Sequence, residues 1–208
     1  MSTVHIPESH YKLTGELILP SSATGVVLFA HGSGSSRFSP RNTYVAGVLQ
    51  QRGIGTLLFD LLTSEEDRDY EARFDISLLA RRLLAATEWL QTNPQTHNLR
   101  IGYFGASTGA AAAIQAAAQM GNKIAAIVSR GGRPDLAGND ALSGVTSPTQ
   151  LIVGSADHGV IELNQEAFKL LDCEKKFVLI PGATHLFEEP GSLQLVADSA
   201  ADWFVHYL

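Results

Sequence analysis

"GYFGASTGAAAA" (102–113) joins two unlike halves at a single serine. Up to Ala106 the stretch is apolar and reads as a buried strand; beyond Thr108 it turns to alanine, the strongest helix former. Ser107 stands at the junction, with Gly105 two residues before it and Gly109 two after. Small residues at both places are what a very sharp strand-to-helix turn requires, because strand and helix pass close together there. Such a turn presents the serine hydroxyl above a helix N-terminus, whose free N–H groups and positive potential suit a developing oxyanion. The segment G-A-S-T-G matches the G-x-S-x-G pattern of a nucleophile elbow. An ordinary small-residue turn has the same composition, so the meaning of Ser107 depends on the chain around it.

Working outward, strands and helices alternate along the whole sequence. The first strand is predicted at 14–20 (TGELILP), closed by Pro20. The run GVVLFAH (25–31) is continuously apolar, as in a strand covered on both faces. A helix at 41–53 ends on Gly53, and a buried strand follows at 54–60. An amphipathic helix at 75–94 has Asp75 as its cap and Asn93-Pro94 as its stop. Strands at 99–104, 124–128, 149–153 and 176–180 then alternate with helices at 107–120, 161–171 and 192–207. Successive βα units predict a mostly parallel twisted sheet with helices on both faces. No linker, repeat or shift in composition divides 1–208, so one α/β domain is expected.

In a parallel sheet the chemistry gathers in loops at the C-terminal ends of the strands. A serine nucleophile needs a base there, and the base needs an orienting acid. Of the seven histidines, His158, His185 and His206 follow Ser107. His206 lies within the terminal helix pattern, and His158 directly follows Asp157 as an ordinary loop histidine would. His185, in IPGATHLFEEPG beyond the last strand, is the candidate base. Asp157 ends the strand of LIVGSAD and is the candidate acid, although an aspartate at that point also suits a helix cap. Asp135 and Asp140 follow an earlier strand, and Glu162 is a nearby substitute. Upstream, VVLFAHGSGSSRFSP ends its strand in His-Gly-Ser-Gly. The Ser33 N–H from that turn, paired with the N–H of Thr108, forms a candidate oxyanion hole.

Composition narrows the alternatives. A net charge of −6 without basic runs disfavours nucleic acid and anionic membranes as partners. One cysteine, Cys173, leaves no intramolecular disulfide and no multi-cysteine metal site. No phosphate-cradling glycine motif and no metal-ligand spacing is present, so neither metal nor organic cofactor is expected. The N-terminal MSTVHIPESHYK lacks a charged start and an apolar stretch, and no segment is apolar for long enough to span a bilayer. A cytoplasmic protein acting on a small molecule, as monomer or homodimer, is the expectation.

The segments FAHGSGSSRFSPRN, LLFDLLT, GYFGASTGAAAA, VSRGGRPDLAG, LIVGSADHGVI and GATHLFEEPG together resemble the α/β-hydrolase superfamily, in its small dienelactone-hydrolase-like branch. The resemblance covers essentially the whole chain. It implies Ser107 as nucleophile, Asp157 as acid, His185 as base, and the Ser33 and Thr108 amides as oxyanion hole. Dienelactone hydrolases proper use a cysteine nucleophile where this sequence has Ser107. Cys173 lies between the helix at 161–171 and the last strand, away from the turn. The expected substrate is therefore a small carboxylic ester or lactone other than dienelactone itself. The same triad would also serve acyl transfer or thioester or peptide cleavage, and the fold could act as a ligand sensor.

The connection 129–147 is too short for a helical cap domain, which favours small soluble substrates. It opens with SRGGRPD, placing Arg130 and Arg133 just past a strand end. Either could clamp a substrate carboxylate, or pair with Asp135 nearby. Arg37 and Arg41, after the His-Gly-Ser turn, invite the same reading. The acidic stretch Glu65, Glu66, Asp67 and Asp69 reads as a solvated loop.

Overall fold

The computed structural model describes residues 2–8 and 11–208. Its centre is one sheet of eight strands: β1 (Ser2–Glu8), β2 (Tyr11–Ile18), β3 (Gly25–Ala30), β4 (Gly55–Phe59), β5 (Arg100–Ala106), β6 (Ile124–Arg130), β7 (Thr149–Gly154) and β8 (Lys175–Ile180). The spatial order is β1-β2-β4-β3-β5-β6-β7-β8, with β1 and β2 antiparallel and β4 to β8 running parallel. Among the described residues six α-helices accompany the sheet: α1 (Pro40–Gln51), α2 (Ile76–Thr92), α3 (Thr108–Met120), α4 (Asn139–Gly144), α5 (His158–Leu170) and α6 (Ser192–Tyr207).

The helices divide between the two faces of the sheet, and each face has its own core. On one side α1 and α6 pack Val45, Ala200 and Phe204 onto Phe29, Phe104 and Val128. On the other, α2 to α5 bring Leu83, Leu142 and Ala167 against Leu28, Tyr103 and Leu151. The alanine tract lies here. Ala111, Ala112 and Ala113 are fully buried between α2 and the sheet, where only a methyl group lets the backbones approach. Asp75 caps α2 by accepting from the Leu78 N–H at 2.9 Å.

Three features depart from the sequence reading. The antiparallel strand β1 lies ahead of the expected first strand; only Ile6 in it is buried, and Pro7 breaks its pattern. The acidic loop is more than a solvated run. Glu66 pairs at 2.7 Å with Arg82, which is buried and also reaches Glu8 at 3.1 Å. The connection 129–147 contains α4 and a 3-10 turn at Pro134–Ala137, both packed against α3 and α5. Among the described residues no helix is long and apolar enough to cross a membrane.

Candidate active site

Ser107 occupies the turn between β5 and α3 at φ 50° and ψ −121°, a region that residues with a Cβ rarely adopt. Holding a side chain there costs about 1–3 kcal/mol, so the surroundings must impose it. They do so through the backbone. The Ser107 carbonyl accepts from the N–H of Ala110 at 3.1 Å and of Arg133 at 3.0 Å. The flanking glycines have no freedom to be anything else. A Cβ on Gly105 would lie 2.4 Å from the Ala110 Cα, and one on Gly109 would lie 2.1 Å from the Ala30 carbonyl oxygen.

Asp157 stands at the N-cap of α5 but makes no capping bond with its side chain. Its carboxylate instead meets His185, with Nδ1 to Oδ2 at 2.7 Å. Asp135, Asp140 and Glu162 play no part in this pair. Asp135 holds Arg133, while Asp140 and Glu162 lie in the helices α4 and α5. His185 rides on the segment 181–191, which is braced internally. Phe187 is buried at φ 57°, and the Thr184 N–H and hydroxyl both donate to Glu189 Oε1. Gly154 lets this segment lie against the Asp157 loop, since a Cβ there would meet the Ala183 carbonyl oxygen at 2.2 Å. His158 begins α5, and His206 sits in the last turn of α6 against the Tyr207 ring.

Ser107 and His185 line one cleft of about 240 Å³, together with Ser33, Ser39, Arg41 and Arg130. The Ser33 N–H donates to the Thr108 hydroxyl at 3.0 Å, so the two residues expected to form the oxyanion hole are in contact. The turn before them depends on His31, which is nearly buried. Its Nδ1 lies 3.0 Å from the Gly32 carbonyl and its Nε2 3.0 Å from the Leu61 N–H. These partners assign the proton to Nδ1, which donates to Gly32, and leave Nε2 as acceptor.

Burial lowers the His31 pKa, outweighing the opposing pull of Gly32, Asp60 and Asp67. The unfolded chain takes up a proton below about pH 6.5, while the folded form resists it. The stability His31 contributes is therefore present above that pH and is lost as the pH falls. Between pH 7.5 and 5.5 the melting temperature should drop less in His31→Gln than in the wild type. Equal slopes in the two proteins would contradict this assignment.

The four arginines divide cleanly. Arg133 is outside the cleft, because Asp135 holds its guanidinium bidentately at 2.8–2.9 Å. Arg37 is likewise taken, by Asp60. Arg130 ends β6 beside Ser107, is only 6% exposed, and lines the cleft. Its Nη2 donates to Asn42 Oδ1 at 3.0 Å, its Nε has no partner, and no carboxylate among the described residues forms an ion pair with it. Its pKa is lowered to about 10, first by burial and then by the charge of Arg41. Arg41 also lines the cleft and pairs with Glu188 at 3.2 Å. Asn42, buried at the start of α1, has no signal in the sequence beyond its place in a stretch with apolar residues at helical spacing.

Comparison with known proteins agrees with this architecture. A solved structure of dienelactone hydrolase from Anabaena variabilis is 56% identical, with TM-score 0.96, covering 100% of this chain and 97% of that one. Est1E from Butyrivibrio proteoclasticus shares the fold at 17% identity, with TM-score 0.85 over 100% of this chain and 99% of its own. A curated relative from Mycobacterium tuberculosis, named "Putative phosphoribosyl transferase", is 56% identical over 94% of this chain. The chain spans only 44% of that relative's length. The model of the dienelactone hydrolase family matches residues 54–206, most of the sheet together with Ser107, Asp157 and His185. With the α/β-hydrolase fold over its whole described length, the chain belongs to the dienelactone hydrolase family.

Proposed function

We propose that this chain is a serine hydrolase that cleaves a small carboxylic ester or lactone bearing an anionic group. The observation that carries the reading is the 2.7 Å contact of Asp157 with His185, which lines one cleft with the strained Ser107. His185 removes the proton from Ser107 as its Oγ attacks the substrate carbonyl. Asp157, hydrogen-bonded to Nδ1, fixes the tautomer and stabilises the imidazolium. The tetrahedral oxyanion draws the Ser33 N–H away from the neutral Thr108 hydroxyl, because a hydrogen bond to a charged acceptor is about twice as strong. The Thr108 N–H, at the first position of α3 with no intrahelical acceptor, supplies the second donor. Collapse expels the alcohol, protonated by His185, and leaves an acyl-enzyme. Water, deprotonated by His185, then releases the acid.

The size and charge of the cleft support the substrate class. At about 240 Å³ it is smaller than the usual range for drug-sized ligands. A buried guanidinium without a counter-charge is costly, and an anionic group on the substrate would relieve it. The transferase name of the curated relatives belongs to chains more than half of which this chain does not match.

The test compares 4-acetoxybenzoate with its neutral methyl ester, following deacetylation. The wild type should favour the anion. In Arg130→Gln, which removes the charge, the anionic-to-neutral ratio of kcat/KM should fall about 10- to 100-fold, as for loss of a charged hydrogen bond. Failure to hydrolyse either ester would contradict the hydrolase reading, and an unchanged ratio would contradict the anionic substrate.

A further inference from the structure

Arg130 and Arg41 place two positive charges in one small cleft, and they differ in one respect. Arg130 has no carboxylate partner among the described residues, only the neutral Asn42 and the face of the Phe187 ring 5.9 Å away. Arg41 is balanced from outside, by a carboxylate on the segment that carries His185: its Nη1 donates to Glu188 Oε1 at 3.2 Å. The Glu188 side chain is 66% exposed and the Arg41 side chain 32%. The Arg41 Nε is buried and has no hydrogen-bond partner.

The Glu188 bond is not what shapes its segment. The turn is already fixed by the buried Phe187 and by Thr184 on Glu189, neither of which involves Glu188. What Glu188 supplies is charge. It offsets Arg41, whose charge otherwise adds to the burial that already weakens proton binding at Arg130. An anion entering the cleft offers Arg41 the same interaction in a drier place, where charges are less screened. Glu188, with two-thirds of its side chain in solvent, can turn outward into water at little cost.

We propose that Glu188 is a displaceable counter-ion that sets how strongly the enzyme prefers anionic over neutral substrates. The substrate's anionic group takes Arg41 from Glu188 on binding, so Glu188 acts as a built-in competitor. This rests on the anionic-ester reading above and adds a specificity residue to it.

The experiment uses the same ester pair with wild type, Glu188→Gln, Arg41→Gln, the double variant and Arg130→Gln. In Glu188→Gln the anionic-to-neutral ratio of kcat/KM should rise about two- to five-fold, the scale of a partly exposed ion pair. The gain should appear in the KM for the anionic ester with its kcat unaltered. In the Arg41→Gln background, the Glu188 substitution should have no further effect on the ratio. Three results would overturn the proposal: an unchanged or lower ratio in Glu188→Gln, an effect that persists without Arg41, or an equal loss of kcat on both esters. The last would make Glu188 a brace for the His185 segment. Arg130→Gln separates the two levels. If its ratio falls while Glu188→Gln stays flat, only the counter-ion role fails. If neither variant changes the ratio, the anionic-substrate reading fails and the counter-ion role with it.

Discussion

Ser107→Ala should reduce ester turnover by roughly 10³- to 10⁶-fold while leaving the protein folded. The size of the effect follows from the division of labour in the cleft. His185 and Asp157 have no covalent chemistry of their own; without Oγ they can at most activate a water in a site shaped for an attached acyl group. The residual rate would come from oxyanion stabilisation and binding, which the substitution leaves in place. The fold survives because alanine keeps the Cβ and the backbone bonds from the Ser107 carbonyl to Ala110 and Arg133. Steady-state kinetics beside a thermal melt check both halves. A variant retaining a tenth or more of wild-type turnover would remove Ser107 from the mechanism.

The second large effect concerns folding. Gly109→Ala should destabilise the protein by about 3 kcal/mol or more, a large share of the roughly 5–15 kcal/mol typical of whole domains. The added methyl would stand 2.1 Å from the Ala30 carbonyl oxygen and 2.7 Å from that of His31, both backbone atoms of the neighbouring strand end. Neither can move without shifting the turn that carries Ser33. Gly47→Ala is the matched control. Gly47 lies inside α1 with nothing within 4 Å of an added Cβ, so alanine there should be neutral or stabilising by up to about 1 kcal/mol. Denaturant melts of the two variants should diverge sharply. Similar midpoints would mean that the close approach of α3 to β3 is not rigid.

The frame of the molecule was legible because its signals are local and strong. Continuous apolar runs mark strands covered on both faces, and Gly-Ala-Ser-Thr-Gly marks a turn whose steric demands the structure makes explicit. The order of Ser107, Asp157 and His185 could be read because each follows a strand that the pattern reveals. What was not legible depends on pairing across distance. β1 exposes most of its residues and has Pro7 within it, so only its pairing with β2 defines it as a strand. Arg130 and Arg133 look equivalent three residues apart. They separate because Arg130 ends a central strand facing Asn42, while Arg133 finds Asp135 two residues on. The contacts of Arg41 with Glu188 and of Arg82 with Glu8 and Glu66 join elements far apart in the chain, and no spacing rule announces them.

The central claim is that Ser107 is a nucleophile activated by His185. The most direct measurement is mass spectrometry of the protein after exposure to a fluorophosphonate, which phosphonylates serines activated in this way. The expected result is a single adduct on the peptide containing Ser107, absent from Ser107→Ala and formed far more slowly in His185→Ala. No adduct on the folded protein, or an adduct on another residue, would contradict the claim.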